Sequence, residues 1–389
     1  MPDTNQSTGE ASRAATPAST TAGTPAPAPA QHAAQKPRVW LITSILSPLG
    51  YHVAQEVLRL GDKVVGGCCR EEFEVDRVRH VCRYGAVNEQ DEKVVNLKTE
   101  GGDRMKFVEL DVRTISLCQS AIADTIAAFG MLDVLLNCTT ETYFGLLEDL
   151  PTHSILAQFE RSYFGAVNIV KASLPTLRSQ KKGHILCVTG STGTMGNPGL
   201  SARSAADHAL EGFLDALKFE IAPWDLRVTV IQPPFEANIL ANPLTLLPLP
   251  TPSTDLPAHY TTLHSLITST YPAAPTPQAA IDTSQSPLPT VLSPPSAASS
   301  ELIKQLTAET VEAILTVAGI QSPPVRVVVG KEGITAVLER IRTISEEMEE
   351  FLETSMAADV PIAEGETLPG LSTTRMKLEG VGEEDEDIE

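Results

Sequence analysis

Short runs of consecutive apolar residues recur along the chain, and apolar residues at helical spacing lie between them. Runs of this kind are typical of parallel strands that are buried on both faces. They occupy residues 39–43, 64–68, 106–110, 132–136, 184–188, 227–231 and 325–330. The intervening stretches include a predicted helix over residues 50–60 and a second helix that carries Leu210, Phe213, Leu214 and Leu217.

The regular alternation of strand and helix decides the fold class. It indicates right-handed strand–helix–strand crossovers, and therefore an α/β protein with a doubly wound parallel sheet in a single domain. Sheets of this class bind ligands beyond the carboxyl ends of their strands. The pattern thus predicts that a functional site lies in the loops that follow the apolar runs.

Composition divides the 389 residues into five segments. Residues 1–36 are rich in Ala, Pro and Thr, and residues 358–389 end in an acidic run, so both are predicted to be disordered tails. The sheet domain is predicted to occupy 37–240 and 301–357. Between these parts, residues 241–300 contain many prolines and are predicted to be an insertion without regular structure, acting as a lid, an interaction segment or a plain insert.

The net charge limits the class of partner, and the cysteines bear on metal binding and on the compartment. The formal net charge of −20 argues against nucleic acid and against an anionic membrane surface. The six cysteines form no C-x-x-C pair and show no metal-ligand spacing, so we expect no metal and a reducing compartment. The sequence has neither an apolar run long enough to span a membrane nor a secretory leader, and we expect a cytoplasmic protein.

Several motifs occur in a fixed order along the chain. Residues 159–168 read FERSYFGAVN, and residues 183–193 read GHILCVTGSTG and run on to PGLSA at 198–202. Further motifs lie at 209–213 (ALEGF) and 220–229 (EIAPWDLRVT). Together these resemble the short-chain dehydrogenase/reductase family, whose fold is Rossmann-like. The stretch from Val325 to Ile341 is similar to the closing strand and helix of the branch that acts on steroid, retinoid or acyl-lipid carbonyls.

The resemblance implies hydride transfer by a tetrad of serine, tyrosine, lysine and asparagine, but none of the four is present. The tyrosine position is Arg203, the lysine position is Asp207, the serine position is Gly190, and the asparagine position is Ser162. An arginine keeps its proton at neutral pH and a glycine has no hydroxyl group. No tyrosine of the chain is followed four residues later by lysine. The family's proton relay is therefore absent.

The glycine-rich loop that the family uses for the cofactor is also altered. Its Thr-Gly-x-x-x-Gly-x-Gly pattern reads TSILSPLG over residues 43–50. Ser44 and Pro48 replace two glycines whose backbone must approach a pyrophosphate group, and only Gly50 is kept. Each change is expected to weaken binding by about 1–3 kcal/mol.

Other cofactor-binding positions of the family persist, mostly at the adenosine end. They imply NADP as the cofactor, bound weakly. Asn137 and Asp111 also have a structural interpretation, in which they tie strand ends together. The candidate cofactor-binding residues are Thr43, Leu49, Gly50, Arg70, Asp111 and Asn137.

Three functions remain open. The first is a catalytically inactive relative that binds a small molecule or a protein partner. The second is an NADP-dependent oxidoreductase with a non-standard site for a carbonyl or alcohol. The third is a regulatory subunit of an active relative, paired as a homo- or heterodimer through helices near 153–178 and 204–218. At Arg203 the sequence allows an ion pair with Asp207 that fills a pocket no longer used for binding, or an anion site formed with His208.

Overall fold

The computed structural model describes residues 36–69, 89–242, 244–247, 261–265, 290–292, 301–352 and 354. The predicted acidic tail, nearly all of the predicted N-terminal tail, most of the proline-rich segment and Arg70 lie outside these residues. The chain divides into two units, Met1–Val337 and Leu338–Glu389, and both sheets belong to the first. No helix among the described ranges is long and apolar enough to cross a membrane.

Ten strands form one large sheet and one small sheet. Their bounds are β1 Val39–Ile42, β2 Lys63–Cys68, β3 Met105–Glu109, β4 Val134–Asn137, β5 Tyr143–Phe144, β6 Gly183–Val188, β7 Leu226–Gln232, β8 Leu244–Leu246, β9 Thr290–Leu292 and β10 Arg326–Val328. The large sheet has the order β3-β2-β1-β4-β6-β7-β10, and every pair in it is parallel. The predicted doubly wound parallel sheet is confirmed. Strand order reverses between β1 and β4, where such sheets open a crevice.

Eight helices lie between the strands of the described ranges or follow them. Their bounds are α1 Pro48–Arg59, α2 Glu89–Gly101, α3 Ile115–Phe129, α4 Thr152–Phe159, α5 Gly165–Gln180, α6 Ser201–Ile221, α7 Glu301–Gly319 and α8 Lys331–Glu350. A single π-helical turn, Glu160–Phe164, joins α4 to α5. Helix α1 begins two residues before the predicted position, because Ser47 caps it and Pro48 occupies its first turn.

Apolar side chains cover both faces of the large sheet. On one face Trp40 and Ile42 pack with Val57 of α1 and Ile314 of α7. On the other face, residues of α3, α5 and α6 pack against Leu41, Leu135 and their neighbours. Burial on both faces explains why the strands are read as continuous apolar runs.

The small sheet modifies the prediction for the proline-rich segment. Strand β8 pairs with β5 in parallel and with β9 antiparallel, so residues 241–300 contain regular structure. Phe144 of β5 is completely buried, together with Leu200, Ile239 and Leu244. This cluster fills the region beside the carboxyl ends of β4 and β6 with apolar side chains.

His184 in β6 is a buried titratable group, 2% exposed. Its Nε2 lies 3.0 Å from Thr229 Oγ1, and that hydroxyl donates to the carbonyl oxygen of Pro324 at 2.7 Å. The hydroxyl proton is thereby used, so Nε2 donates to Thr229. Burial, with Arg227 and Arg38 nearby, lowers the pKa of His184 to about 3.

This lowered pKa makes stability depend on pH. An unfolded histidine takes up a proton below its ordinary pKa of 6.5, whereas folded His184 does so only near 3, so stability is lost as pH falls through this window. Between pH 6.5 and pH 5 the loss should reach about 2 kcal/mol. We expect the fall in unfolding free energy, measured with urea, to be smaller by this amount in His184→Gln. Exposed His153→Gln is the control, and identical pH profiles for all three proteins would contradict the assignment.

Candidate active site at the carboxyl ends of the strands

The loop between β1 and α1 is closed by its own side chains. Ile45 and Leu46 are buried in the core, and the Ile45 amide donates to the carbonyl oxygen of Gly67 at 3.1 Å. Ser47 Oγ accepts from the amide of Gly50 at 3.1 Å and donates to the carbonyl oxygen of Ser44 at 2.7 Å. The Gly50 amide at the start of the helix, a group that could bind an anion, is therefore satisfied within the loop.

Gly50 is required by packing within this loop. A Cβ atom at this position would collide with the carbonyl oxygen of Ser44 and approach Ser47 Oγ to 2.9 Å. The neighbouring Leu49 is also buried, and its side chain packs into the core. The two predicted cofactor residues at the start of α1 therefore have structural roles.

Thr43 and Asn137 tie the ends of two neighbouring strands together. Thr43 Oγ1 donates to Asn137 Oδ1 at 3.1 Å and accepts from the amide of Cys138 at the same distance. Thr139 Oγ1 donates to Thr43 Oγ1 at 2.8 Å. Thr43 and Asn137 are both buried, at 3% and 1% exposure. This geometry supports the structural interpretation of Asn137.

Arg203 lies at the centre of the site and has almost no contact with solvent. It is 1% exposed, and each of its three guanidinium nitrogens has an acceptor. Nε donates to Asp207 at 2.7 Å, while Nη2 donates to the carbonyl oxygen of Thr189 at 3.0 Å. Nη1 donates to Thr140 Oγ1 and to the carbonyl oxygen of Glu141.

Asp207 balances this cation from one turn further along α6. It is 2% exposed and also accepts from Thr192 Oγ1 at 2.6 Å. The predicted ion pair is therefore present, and it is buried. His208 does not take part, because it is exposed and its Nδ1 contacts the carbonyl oxygen of Ser204. The anion site predicted for Arg203 and His208 does not form.

Asn238 occupies the space beside Gly190. Its Nδ2 donates to the carbonyl oxygen of Thr189, and a Cβ atom placed on Gly190 would lie 2.5 Å from that nitrogen. Gly190 also has φ of 154°, a backbone conformation that residues with side chains rarely adopt. A serine at this position would thus need both a backbone change and removal of the Asn238 amide.

Gln158 completes the site on the side of the π-helical turn. It is fully buried, and its Nε2 donates to Ser162 Oγ at 2.7 Å and to the carbonyl oxygen of Glu141 at 2.6 Å. Its Oε1 accepts from the amide of Tyr143 at 3.2 Å. Ser162 is therefore held by a protein side chain within a closed set of hydrogen bonds.

Glu211 is a further buried carboxylate next to this set. Its Oε1 accepts from Thr189 Oγ1 at 2.8 Å and from Gln232 Nε2 at 2.7 Å, while Oε2 lies 2.8 Å from the Arg326 guanidinium. Burial raises the pKa of Glu211, and these partners oppose the shift. The residue links α6 to the ends of β6, β7 and β10.

Asp111, at the end of β3, is engaged by a neighbour in sequence. Arg113 contacts both of its carboxylate oxygens, at 3.0 Å and 2.7 Å, and this pairing lowers the pKa of Asp111. The adjacent backbone is fixed by Asn168, whose Nδ2 donates to the carbonyl oxygen of Val112 at 3.0 Å.

Sequence reasoning did not single out Gln158, Asn238 or Glu211. Most of their partners lie far along the chain, apart from Ser162 four residues after Gln158, so local spacing does not reveal these contacts. The only signal was that polar side chains occur in otherwise apolar helical stretches, where buried polar groups need partners.

A profile of the short chain dehydrogenase family matches residues 38–242, just over half of the chain. The chain belongs to the short-chain dehydrogenase family. The match begins one residue before β1 and ends after β7, so it includes every loop of the site described above.

Two curated relatives match the chain over part of their own length. The chain is similar to an oxidoreductase named BOA17 from Botryotinia fuckeliana, with 32% identity over 197 residues that are 50% of this chain and 65% of the relative. It is also similar to dehydrogenase/reductase SDR family member 7B from Xenopus laevis, with 27% identity over 53% of this chain and 61% of the relative. The chain thus spans less than two thirds of either relative.

A solved structure of a short-chain dehydrogenase from Streptomyces avermitilis shares the fold. Its TM-score is 0.62 at 21% identity, and the superposition covers 84% of this chain and 100% of that one. This likeness concerns the arrangement of strands and helices alone. It agrees with the Rossmann-like sheet found here.

The buried pair of Arg203 and Asp207 can be tested by substitution. Arg203→Met leaves the Asp207 carboxylate buried without its partner, and we expect the unfolding free energy to fall by about 3–5 kcal/mol. The double variant Arg203→Met/Asp207→Leu removes both charges and should lose less than the single variant. Lys304→Met, which breaks an exposed pair with Glu301, is the control and should be unchanged within error. Urea denaturation measures all four proteins. A double variant that loses as much unfolding free energy as Arg203→Met, or more, would contradict the buried pair.

The lack of space beside Gly190 can be tested in the same way. Gly190→Ser should destabilise the protein by about 2–4 kcal/mol, because the new side chain meets Asn238 and the backbone is strained. Adding Asn238→Ala opens that space, so the cost of the serine should be smaller in the Asn238→Ala background. Gly196→Ser is the matched control, since a Cβ atom there meets nothing within 4 Å. Equal costs for Gly190→Ser in both backgrounds would rule out the contact.

Proposed function

We propose that this chain is a non-catalytic member of the short-chain dehydrogenase family that acts by binding a partner or a ligand through its scaffold. The observation that carries the proposal is the buried Arg203–Asp207 pair at the positions of the family's tyrosine and lysine. A residue that transfers a proton to substrate must reach it, but Arg203 is 1% exposed and all its nitrogens are bonded within the protein.

Among the described residues near Arg203, Tyr143 and Cys187 are poor replacements for the missing proton donor. Tyr143 is the tyrosine of the described site, and its hydroxyl donates to Glu141 Oε1 at 3.1 Å. Burial, together with the Glu141 charge, raises the pKa of Tyr143 to about 12. A tyrosine that exchanges protons near neutral pH needs the opposite shift. Burial likewise raises the pKa of Cys187 to about 12.

The residues present do not fit a nicotinamide cofactor in the manner of the family. At the start of α1 the Gly50 amide is already bonded to Ser47, and Pro48 has no amide hydrogen to offer a phosphate. At the other end Arg203 donates to Thr140 Oγ1, and Arg203 and Asn238 both donate to the carbonyl oxygen of Thr189. The retained Asp111 is paired with Arg113. We therefore derive no reaction step through NADP.

The competing proposal is an NADP-dependent oxidoreductase with a non-standard site. Family membership and the retained Asp111 and Asn137 favour it. It requires a proton donor other than Arg203 and a loop that opens at Ser47. A third proposal, a regulatory subunit that pairs with an intact relative, draws on exposed apolar side chains at Leu156, Phe164 and Phe219 on the helices near 153–178 and 204–218. Co-purification with an active dehydrogenase distinguishes it from the other two.

Calorimetry tests the leading proposal directly. We expect titration with NADPH, NADP, NADH and NAD to give no saturable heat below about 1 mM, because two loop changes of 1–3 kcal/mol each weaken binding by a factor of about 10² or more. The variant Ser44→Gly/Pro48→Gly is the matched comparison, since it restores the family's loop without touching Arg203. Micromolar NADPH binding by the unmodified protein, with carbonyl reduction that is lost in Arg203→Met while binding persists, would overturn the proposal.

A further inference from the structure

Helix α8 has no buried side chain along its 20 residues, Lys331–Glu350, all of which the structure describes. Large apolar residues on this helix and just past its end are nevertheless exposed by 39% to 67%. Exposed apolar residues in this number on one helix are unusual for a protein surface and indicate an interaction site. They are Ile334, Leu338, Ile341, Ile344, Met348, Phe351 and Leu352.

The apolar residues follow the repeat of a coiled coil. Three of them, Ile334, Ile341 and Met348, are seven residues apart and form one set of core positions. Val337, Ile344 and Phe351 form the second set, each three residues after a member of the first. Alternating steps of three and four residues keep one seam facing a partner helix. The seam is about 26 Å long at the rise of an α-helix.

The charges beside the seam are distributed unevenly along the helix. Before the midpoint of the seam, between residues 342 and 343, three cations outnumber two acids, and beyond it the helix carries only acids. The charged residues before the midpoint are Lys331, Glu332, Glu339, Arg340 and Arg342, and those beyond it are Glu346, Glu347, Glu349 and Glu350. Arg342 is already paired within the helix, with Glu339 at 2.5 Å. A parallel pairing of two such helices would place their acidic halves side by side. An antiparallel pairing would instead set each acidic half against the half that carries the arginines.

The antiparallel arrangement also pairs the apolar core positions of the two helices. Reversing one helix about the midpoint between residues 342 and 343 places Ile334 opposite Phe351 and Ile341 opposite Ile344. Core positions of one set then meet those of the other, as antiparallel coiled coils require. In the same register Arg340 of one copy comes beside Glu347 of the other, twice by symmetry. The helix is therefore complementary to itself in shape and in charge.

We infer that α8 is a self-association helix, which pairs antiparallel with α8 of a second copy of this chain. Both copies use the same surface, so the contact closes on a two-fold axis and does not propagate. The inference is independent of whether the site at Arg203 is catalytic. It assigns a role to a helix that has no buried side chain.

Charge reversal across the seam tests the orientation. Arg340→Glu and Glu347→Arg each place like charges together in the antiparallel pair, so each should raise the dimer dissociation constant about threefold to tenfold. The double variant exchanges the two charges and should return the constant to within about twofold of the original. Sedimentation equilibrium of the full chain at low salt gives these constants. Weakening by both single variants without recovery in the double variant would overturn the antiparallel pairing.

A seam variant tests whether α8 self-associates at all. Ile341→Asp puts a carboxylate in the middle of the seam, and we expect it to lower the solution mass at micromolar concentrations. Thr335→Asp, on the side away from the seam, is the control and should leave the mass unchanged. Circular dichroism checks that both variants stay folded. A solution mass that is the same for the unmodified protein and Ile341→Asp up to about 100 μM would overturn the inference, whatever other partner the helix binds.

Discussion

A buried charge must be paired and fully hydrogen-bonded, and this constraint organises the carboxyl end of the sheet. The charged side chain of Arg203 is 1% exposed, and acceptors of the surrounding chain bind its guanidinium group. Its partners come from α6 itself, from the segment after β4, and from the end of β6. Removing any one partner would leave a donor unpaired in a region of low dielectric constant. One side chain thus fixes the relative positions of three parts of the fold.

The other altered positions depend on the same arrangement. The Thr189 carbonyl oxygen accepts from both Arg203 and Asn238, and Asn238 in turn leaves no space for a side chain at Gly190. The Glu141 carbonyl oxygen accepts from both Arg203 and Gln158, and Gln158 holds Ser162. The four tetrad positions are therefore linked through two shared carbonyl oxygens. A change at one of these positions therefore alters the hydrogen bonds that are available to the others.

The fold could be predicted from the sequence because its strands are buried on both faces and are read as apolar runs. The ends of α1 were less certain, since the cap at Ser47 and the proline after it outweigh the spacing of apolar residues. At the site, the spacing of Arg203 and Asp207 predicted their pairing but not their burial. Burial depends on contacts with Thr140, Glu141 and Thr189, which lie far from Arg203 along the chain. Asn238 and Gln158 were missed for the same reason.

The linked contacts explain how the fold accommodates residues that differ from the family's tetrad. A working relay of the family's kind exposes polar groups to a cleft, where water or a ligand completes their hydrogen bonds. Here protein groups complete them: Asp207 and Thr192 meet each other, Gln158 meets Ser162, and Ser47 meets the first turn of α1. Protein groups thus satisfy these polar atoms. Introducing a single family residue would disrupt part of this set without supplying a new partner, so building the family's geometry here requires several changes at once.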